Sequence, residues 1–205
     1  MKLMAIIGSP RRGGNTEALA DAVIQGYLSK TQAEVEKIFV TEKNIQYCTG
    51  CLSCTFPPPG TKKCVIEDDM AGILERMAGF DAFIFATPNH MRTVSAPLLT
   101  FLARMLPIME FLLDKDAEGR IIGGGFTSSL KDKKAAIVIS QGDPIFSSAL
   151  VHAVLERNLM DFGLRRVGDV ISSGNMMSGD AAKKQADLER AFQLGAALYT
   201  MAGMY

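Results

Sequence analysis

With 205 residues, 48% of them hydrophobic and 21% charged, the chain has the composition of a folded globular protein, long enough to bury a core without disulfide staples. Lys plus Arg and Asp plus Glu each number 22, so the formal net charge is zero and the basic surplus of a nucleic-acid binder is excluded. No run reaches the roughly 18 uncharged apolar residues of a membrane span, and the opening MKLMAIIGSP is too short for a signal peptide; a cytoplasmic protein with no membrane partner is expected.

In chain order, apolar runs and three-to-four spacings alternate. LMAIIG (3–8) predicts a strand and NTEALADAVIQGYLSK (15–30) a helix; EVEKIFV (34–40) predicts a strand and DDMAGILERMAGF (68–80) a helix. DAFIFA (81–86) is followed by a long helical pattern over 95–113, AAIVIS (135–140) by one over 146–163, and VGDVISS (167–173) by one over 180–203. Strands with continuous apolar sequence have both faces covered, as in a parallel sheet packed between helices. Five alternations therefore predict an α/β doubly wound fold, one domain over 1–205, with a five-stranded parallel sheet. The glycine-rich 117–134 is expected to form a long loop or a small hairpin.

In such a sheet, ligands sit beyond the carboxyl ends of the strands. After the first strand comes GSPRRGGNT, which gathers glycines for a tight turn, hydroxyls at Ser9 and Thr16, an amide at Asn15 and cations at Arg11 and Arg12, just before a helix N-terminus. These groups suit a phosphate. The loop is neither GxGxxG nor GxxxxGK[ST], which disfavours a dinucleotide fingerprint or a nucleotide-hydrolysing P-loop. A plain turn with a helix cap is the simpler alternative.

All four cysteines fall in CTGCLSCTFPPPGTKKC, as Cys48, Cys51, Cys54 and Cys64, spaced C-x2-C-x2-C-x9-C. Three thiols at intervals of three with a distant fourth match a single loop wrapped around a [4Fe–4S] cluster better than the paired knuckles of structural zinc. Free thiols, a reversible disulfide or zinc stay open as alternatives. Gly50 permits a tight turn between the first two thiols, and PPPG (57–60) stiffens the return path.

Together, GSPRRGGNT, the CTGCLSC phrase, IEDDM and DAFIFATPNHMRTVSAPLLTFLAR resemble the NADPH-dependent FMN reductase superfamily, and within it the iron-sulfur flavoproteins. The resemblance covers residues 1–112 by motif and implies a flavodoxin-like sheet of order 2-1-3-4-5. It implies that Ser9, Arg11, Arg12, Asn15 and Thr16 hold the FMN phosphate, and that Pro88, Asn89, His90 and Met91 lie along the ring. Gln141, Gly142 and Asp143 would close over it. The sequence departs from the family pattern at Thr100, Ala103 and His90.

His90 is expected to pack near the ring edge rather than to donate a proton, and His152 to be structural. The implied activity is transfer of electrons from NAD(P)H through FMN to a quinone, flavin or similar small acceptor, with an FMN and iron–sulfur carrier fed by a ferredoxin-like protein as the alternative. The resemblance also implies a homodimer or homotetramer. Because the second strand forms the sheet edge in this order, cluster and ring are expected to be neighbours without contact in one subunit.

Overall fold

A computed structural model describes residues 1–57 and 63–200. Five strands, β1 (Lys2–Ile7), β2 (Glu34–Phe39), β3 (Ala82–His90), β7 (Lys134–Ser140) and β8 (Arg165–Ser172), form a parallel sheet of order β2-β1-β3-β7-β8. Counting only parallel strands, this is the 2-1-3-4-5 order implied by the sequence. A two-residue strand, β4 (Thr93–Val94), turns back antiparallel on the end of β3.

Alternation along the strands divides the core between the two sheet faces. Met4, Ile6, Phe83, Phe85, Ile137 and Ile139 pack on one side against α2 (Asp69–Met77), α3 (Ala96–Arg104) and α4 (Ala149–Asp161), through Met70, Ile73, Leu98, Phe101, Val151 and Leu155. Leu3, Ala5, Ile7, Ile84, Ala86, Ala136 and Val138 face α1 (Asn15–Leu28) and α5 (Gln185–Thr200), meeting Leu19, Val23, Tyr27, Ala191 and Leu198. That two-sided burial explains why these strands lack a polar alternation. Where α1 and α5 cross, a Cβ on Gly26 would lie 1.9 Å from the Phe192 carbonyl oxygen, and one on Gly195 would lie 1.9 Å from that of Val23. The two backbones touch, and only glycine fits at either point.

The single helix expected over 95–113 is corrected. α3 ends at Arg104, a 3₁₀ turn spans Leu106–Ile108, and Met109–Lys115 is a strand, β5. Pro107 lacks a backbone N–H and disfavours helical geometry in the residue before it, so the helix cannot run through. β5 pairs antiparallel with β6 (Ile121–Ser128), with the Phe111 and Phe126 rings 6.3 Å apart, so the glycine-rich segment supplies one arm of a hairpin. Of the stiff proline run, Pro58, Pro59 and Gly60 lie outside the described residues, as does the end of the last helical pattern beyond 200. No helix among the described residues is long and apolar enough to cross a membrane.

Candidate functional site

The carboxyl ends of β1, β3, β7 and β8 converge on one edge. Gly8 follows β1 there, and its N–H donates to the Ala86 carbonyl at 2.8 Å while its own carbonyl accepts from the Ser95 hydroxyl at 2.8 Å. A Cβ on Gly8 would come within 2.6 Å of Leu98, so glycine is what lets α3 close against the start of the loop. The loop then opens onto a cavity of about 260 Å³ lined by Ser9, Arg11, Asn15 and Thr16 from the first loop, Pro88, Asn89 and His90 from β3, and Gly142 beyond β7. Asn175, Met176 and Ser178 complete its wall.

The chemistry of this cavity is that of an anion cradle. α1 starts at its floor with Gly14 as the N-cap residue and no side-chain cap, so the first-turn N–H groups and the positive end of the helix dipole face it. Ser9 and Thr16 are buried hydroxyls, and the Ser9 oxygen accepts the Arg11 N–H at 3.2 Å. Two amide oxygens, Oδ1 of Asn89 and of Asn175, are buried without a hydrogen-bond partner among the described residues. Orphaned polar atoms on a cavity wall are what a bound polar ligand would satisfy.

The structure separates the residues singled out from sequence into distinct roles. Arg11 lines the cavity; Arg12 turns away, forks onto both carboxylate oxygens of Glu42 and lies 3.4 Å from the Phe39 ring centroid. That hydrogen-bonded pairing holds the Glu42 carboxyl below its ordinary range. Asn15 is fully engaged: its amide donates to the carbonyls of Asn175 at 3.2 Å and Met177 at 2.8 Å, and its oxygen accepts the Ala181 N–H at 3.0 Å. It therefore latches the loop after β8 over the cavity. Gln141 is buried and equally engaged, accepting from the Asn89 amide at 2.7 Å and donating to the carbonyls of Asp143 at 2.6 Å and Phe146 at 2.5 Å.

The expected ring loop is not a free loop, because β3 continues through His90. His90 is exposed on the cavity wall. Asn89 and Gly142 are shared with a second cavity of about 470 Å³, whose other walls are Met91, Arg92, Gln141, Asp143 and Phe146. The two hollows adjoin. The Asp143 carboxylate accepts from the N–H groups of Ile145 at 2.7 Å and Phe146 at 3.0 Å, and those bonds hold it below the ordinary carboxylate range. His152 lies apart on α4, its ring 3.4 Å from Asp169 and 3.8 Å from Glu156.

Sequence reasoning missed the segment after β8, although the rule that placed the other loops applies to that strand as well. It also missed Arg104. This buried guanidinium donates to both oxygens of Asp68 at 2.6 and 3.0 Å, to the Gln46 carbonyl at 2.7 Å and to Cys64 Sγ at 3.7 Å.

The four cysteines are free thiols, Cys48 and Cys51 exposed, Cys54 and Cys64 half-buried. Burial pushes the Cys54 thiol up, and charge on Cys64 or Cys48 would push it further. Among the described residues, no three Cys, His, Asp or Glu side chains converge as ligands of one metal ion.

Known proteins resemble the chain at three levels. The NADPH-dependent FMN reductase family profile matches residues 1–160. An iron-sulfur flavoprotein of Archaeoglobus fulgidus is 32% identical over 196 residues, 95% of this chain and 77% of that protein. Among solved structures, an azoreductase from Bacillus anthracis superposes with TM-score 0.70 at 17% identity, covering 96% of this chain and 99% of the other. An NAD(P)H:quinone oxidoreductase from Methanothermobacter marburgensis does so with TM-score 0.65 at 18% identity, covering 97% and 96%. Those two likenesses carry the fold; the profile, spanning the first loop and the strands from β1 through β7, carries the family, and the chain belongs to the NADPH-dependent FMN reductase family as an NAD(P)H-dependent FMN oxidoreductase.

Proposed function

We propose that the first-loop cavity holds the FMN phosphate and ribityl chain, with the flavin ring reaching toward the adjoining cavity, and that a quinone, a flavin or a similar small molecule accepts the electrons. When bound, FMN supplies hydride acceptance from the nicotinamide and release of electrons to the acceptor. The observation that carries this reading is the uncapped start of α1 beneath Ser9, Arg11 and Thr16, in a cavity with two unpartnered amide oxygens. Ser9, Thr16 and the first-turn N–H groups would bind the phosphate, Arg11 would neutralise it, and Pro88, Asn89, His90 and Met91 would orient the ring. Asn15, Gln141 and Asp143 hold the surrounding loops in place, and Gly142 leaves room beside them. Arg12 supports the first loop from outside through Glu42 and Phe39.

The reading extends to Cys48, Cys51, Cys54 and Cys64 as ligands of a [4Fe–4S] cluster. It is supported by a donor set of four thiols on one loop and by iron-sulfur flavoproteins among the relatives. With such a cluster, the exposed Cys48 and Cys51 favour a second reading in which a ferredoxin-like protein delivers electrons at that edge. We also read the chain as one domain, cytoplasmic, and assembled as a homodimer or homotetramer. Support for assembly is the β5–β6 ribbon, where Leu112, Ile122 and Phe126 are exposed.

Anaerobic purification followed by an absorption spectrum, with iron, sulfide and zinc analysis, tests the cofactor content. Flavin bands with a broad shoulder near 400 nm, where iron–sulfur charge transfer absorbs, and about four irons per chain support both assignments. Flavin bands without iron retain the FMN site and remove the cluster; absence of flavin removes the reading. Bleaching of the flavin by NADH or NADPH supports the reductase, and reduction by a protein donor alone supports the carrier.

A further inference from the structure

β3 and β4 are joined by a two-residue hairpin in which His90 pairs with Thr93, and the two residues between them, Met91 and Arg92, both have left-handed backbones, with φ of 50° and 65°. Hairpins of this shape ordinarily place Asn and Gly there, because a Cβ is disfavoured at positive φ. Backbone geometry therefore gives no reason for arginine at this tip. What the position offers is the reach of its side chain. The Arg92 guanidinium lies 4.4 Å from the Phe146 ring centroid, across the mouth of the second cavity. Phe146 is itself fixed, with its N–H held by Asp143 and its carbonyl by Gln141. A long, exposed side chain is thus docked over the cavity by a cation–π contact.

Among the described residues the guanidinium makes no ion pair and no hydrogen bond. The acid on the same cavity wall, Asp143, feels the Arg92 charge but makes its hydrogen bonds to backbone N–H groups, leaving the guanidinium donors unused. A planar fork of unused donors over a cavity that adjoins the anion cradle matches a carboxylate, sulfonate or phosphate presented by a small molecule.

We propose that Arg92 is a selectivity residue that receives the anionic group of the molecule exchanging electrons at this site. The inference rests on the reading of the first cavity as the FMN site. Two sources share the chemistry: the 2′-phosphate of the nicotinamide donor, or an acid group on the acceptor.

The test uses the flavin-loaded protein and two variants. Arg92→Gly removes the cation while suiting the left-handed turn, so loss of folding does not confound it, and Arg92→Lys keeps the charge without the fork. One arm compares kcat/KM for NADPH with that for NADH at a fixed neutral quinone. The other compares a sulfonated azo dye with an uncharged azo dye at fixed NADH. Arg92→Gly is expected to lower either the NADPH-to-NADH ratio or the sulfonated-to-uncharged dye ratio about tenfold, through KM, with partial recovery in Arg92→Lys. A fall in the first arm assigns the donor phosphate, and a fall in the second assigns an acid-bearing acceptor. Unchanged ratios in both arms, with flavin content and turnover of NADH and the uncharged dye intact, overturn the assignment of Arg92 alone. A parent protein without FMN overturns the site reading, and this inference with it; one that holds FMN but is not reduced by NADH or NADPH overturns this inference and leaves the FMN site standing.

Discussion

Arg104 and Asp68 form an ion pair whose side chains are 2% and 0% exposed, and together they fasten both ends of the cysteine loop. Asp68 accepts from the Gln46 N–H at 2.8 Å ahead of the loop and caps α2 behind it through the Met70 N–H at 3.0 Å. Arg104 reaches the Gln46 carbonyl and Cys64 from the last turn of α3. Breaking a buried pair from one side strands a charge, so Arg104→Met is expected to lower unfolding free energy by about 3–5 kcal/mol in urea melts. Arg104→Met combined with Asp68→Asn should recover part of that loss.

The same pair gives a pH dependence of defined sign. Burial opposes ionisation of Asp68, but the Arg104 hydrogen bond and the two backbone N–H groups outweigh it and leave the carboxyl below its ordinary 3.8. A depressed carboxyl contributes stability that is fully present above the unfolded value and is lost as pH falls through the folded one. Urea melts from pH 7 down through pH 3 should therefore lose stability less steeply in Asp68→Asn than in the parent. Parallel curves would remove Asp68 from the acid response.

At the crossing of α1 and α5, alanine at Gly26 or Gly195 would force a methyl into a carbonyl oxygen. The helices must part, and each substitution is expected to cost about 3 kcal/mol, the upper end of ordinary overpacking. Gly72→Ala is the comparison: its Cβ would meet only the end of the flexible Arg76 side chain at 3.5 Å, in the middle of α2, and should stabilise by about 0.5–1 kcal/mol. Thermal melts of the three variants read the difference directly.

How far the sequence disclosed this arrangement depended on the range of the interactions. The central strands β1, β3 and β7 were legible because each is apolar on both faces, and the first loop was legible because its donors lie within nine consecutive residues at the start of one helix. MLPIMEFLL misled because an apolar run at that length suits helix or strand, and what decides it is Pro107 together with a partner strand a dozen residues on. Contacts across long separations left no local trace. Nothing near Arg104 announces Asp68 or Gln46, and nothing near Asn15 announces the carbonyls of Asn175 and Met177.

Adjacent arginines with identical chemistry illustrate that limit and give a direct test. Arg11 faces the anion cradle, whereas Arg12 is committed to Glu42 and Phe39. Arg11→Ala should weaken FMN binding about tenfold, the scale of one charge-assisted contact at an exposed site, and Arg12→Ala by less than about threefold. Fluorescence titration of flavin-stripped protein with FMN measures both. Equal losses would mean that Arg12 leaves Glu42 when the cofactor arrives.

Gln141 makes the sharpest prediction about the loops beyond the strand ends. Its one amide joins Asn89 at the end of β3 to the carbonyls of Asp143 and Phe146, while its backbone N–H donates to Ser172 on β8 and its carbonyl accepts from Asn175. Gln141→Leu keeps the size and leaves the backbone bonds, but it strands one amide donor and two carbonyls near the second cavity. About 2 kcal/mol of stability should be lost, with a larger effect on function because Phe146 loses its anchor. Hydrogen exchange should quicken at Ile145 and Phe146 and stay unchanged in the middle of β7. In the same variant KM should rise more than kcat falls, since the residues that shape the second cavity loosen while the first-loop cradle keeps its geometry. Unchanged exchange at Ile145 and Phe146 would show that Asp143 alone holds this turn.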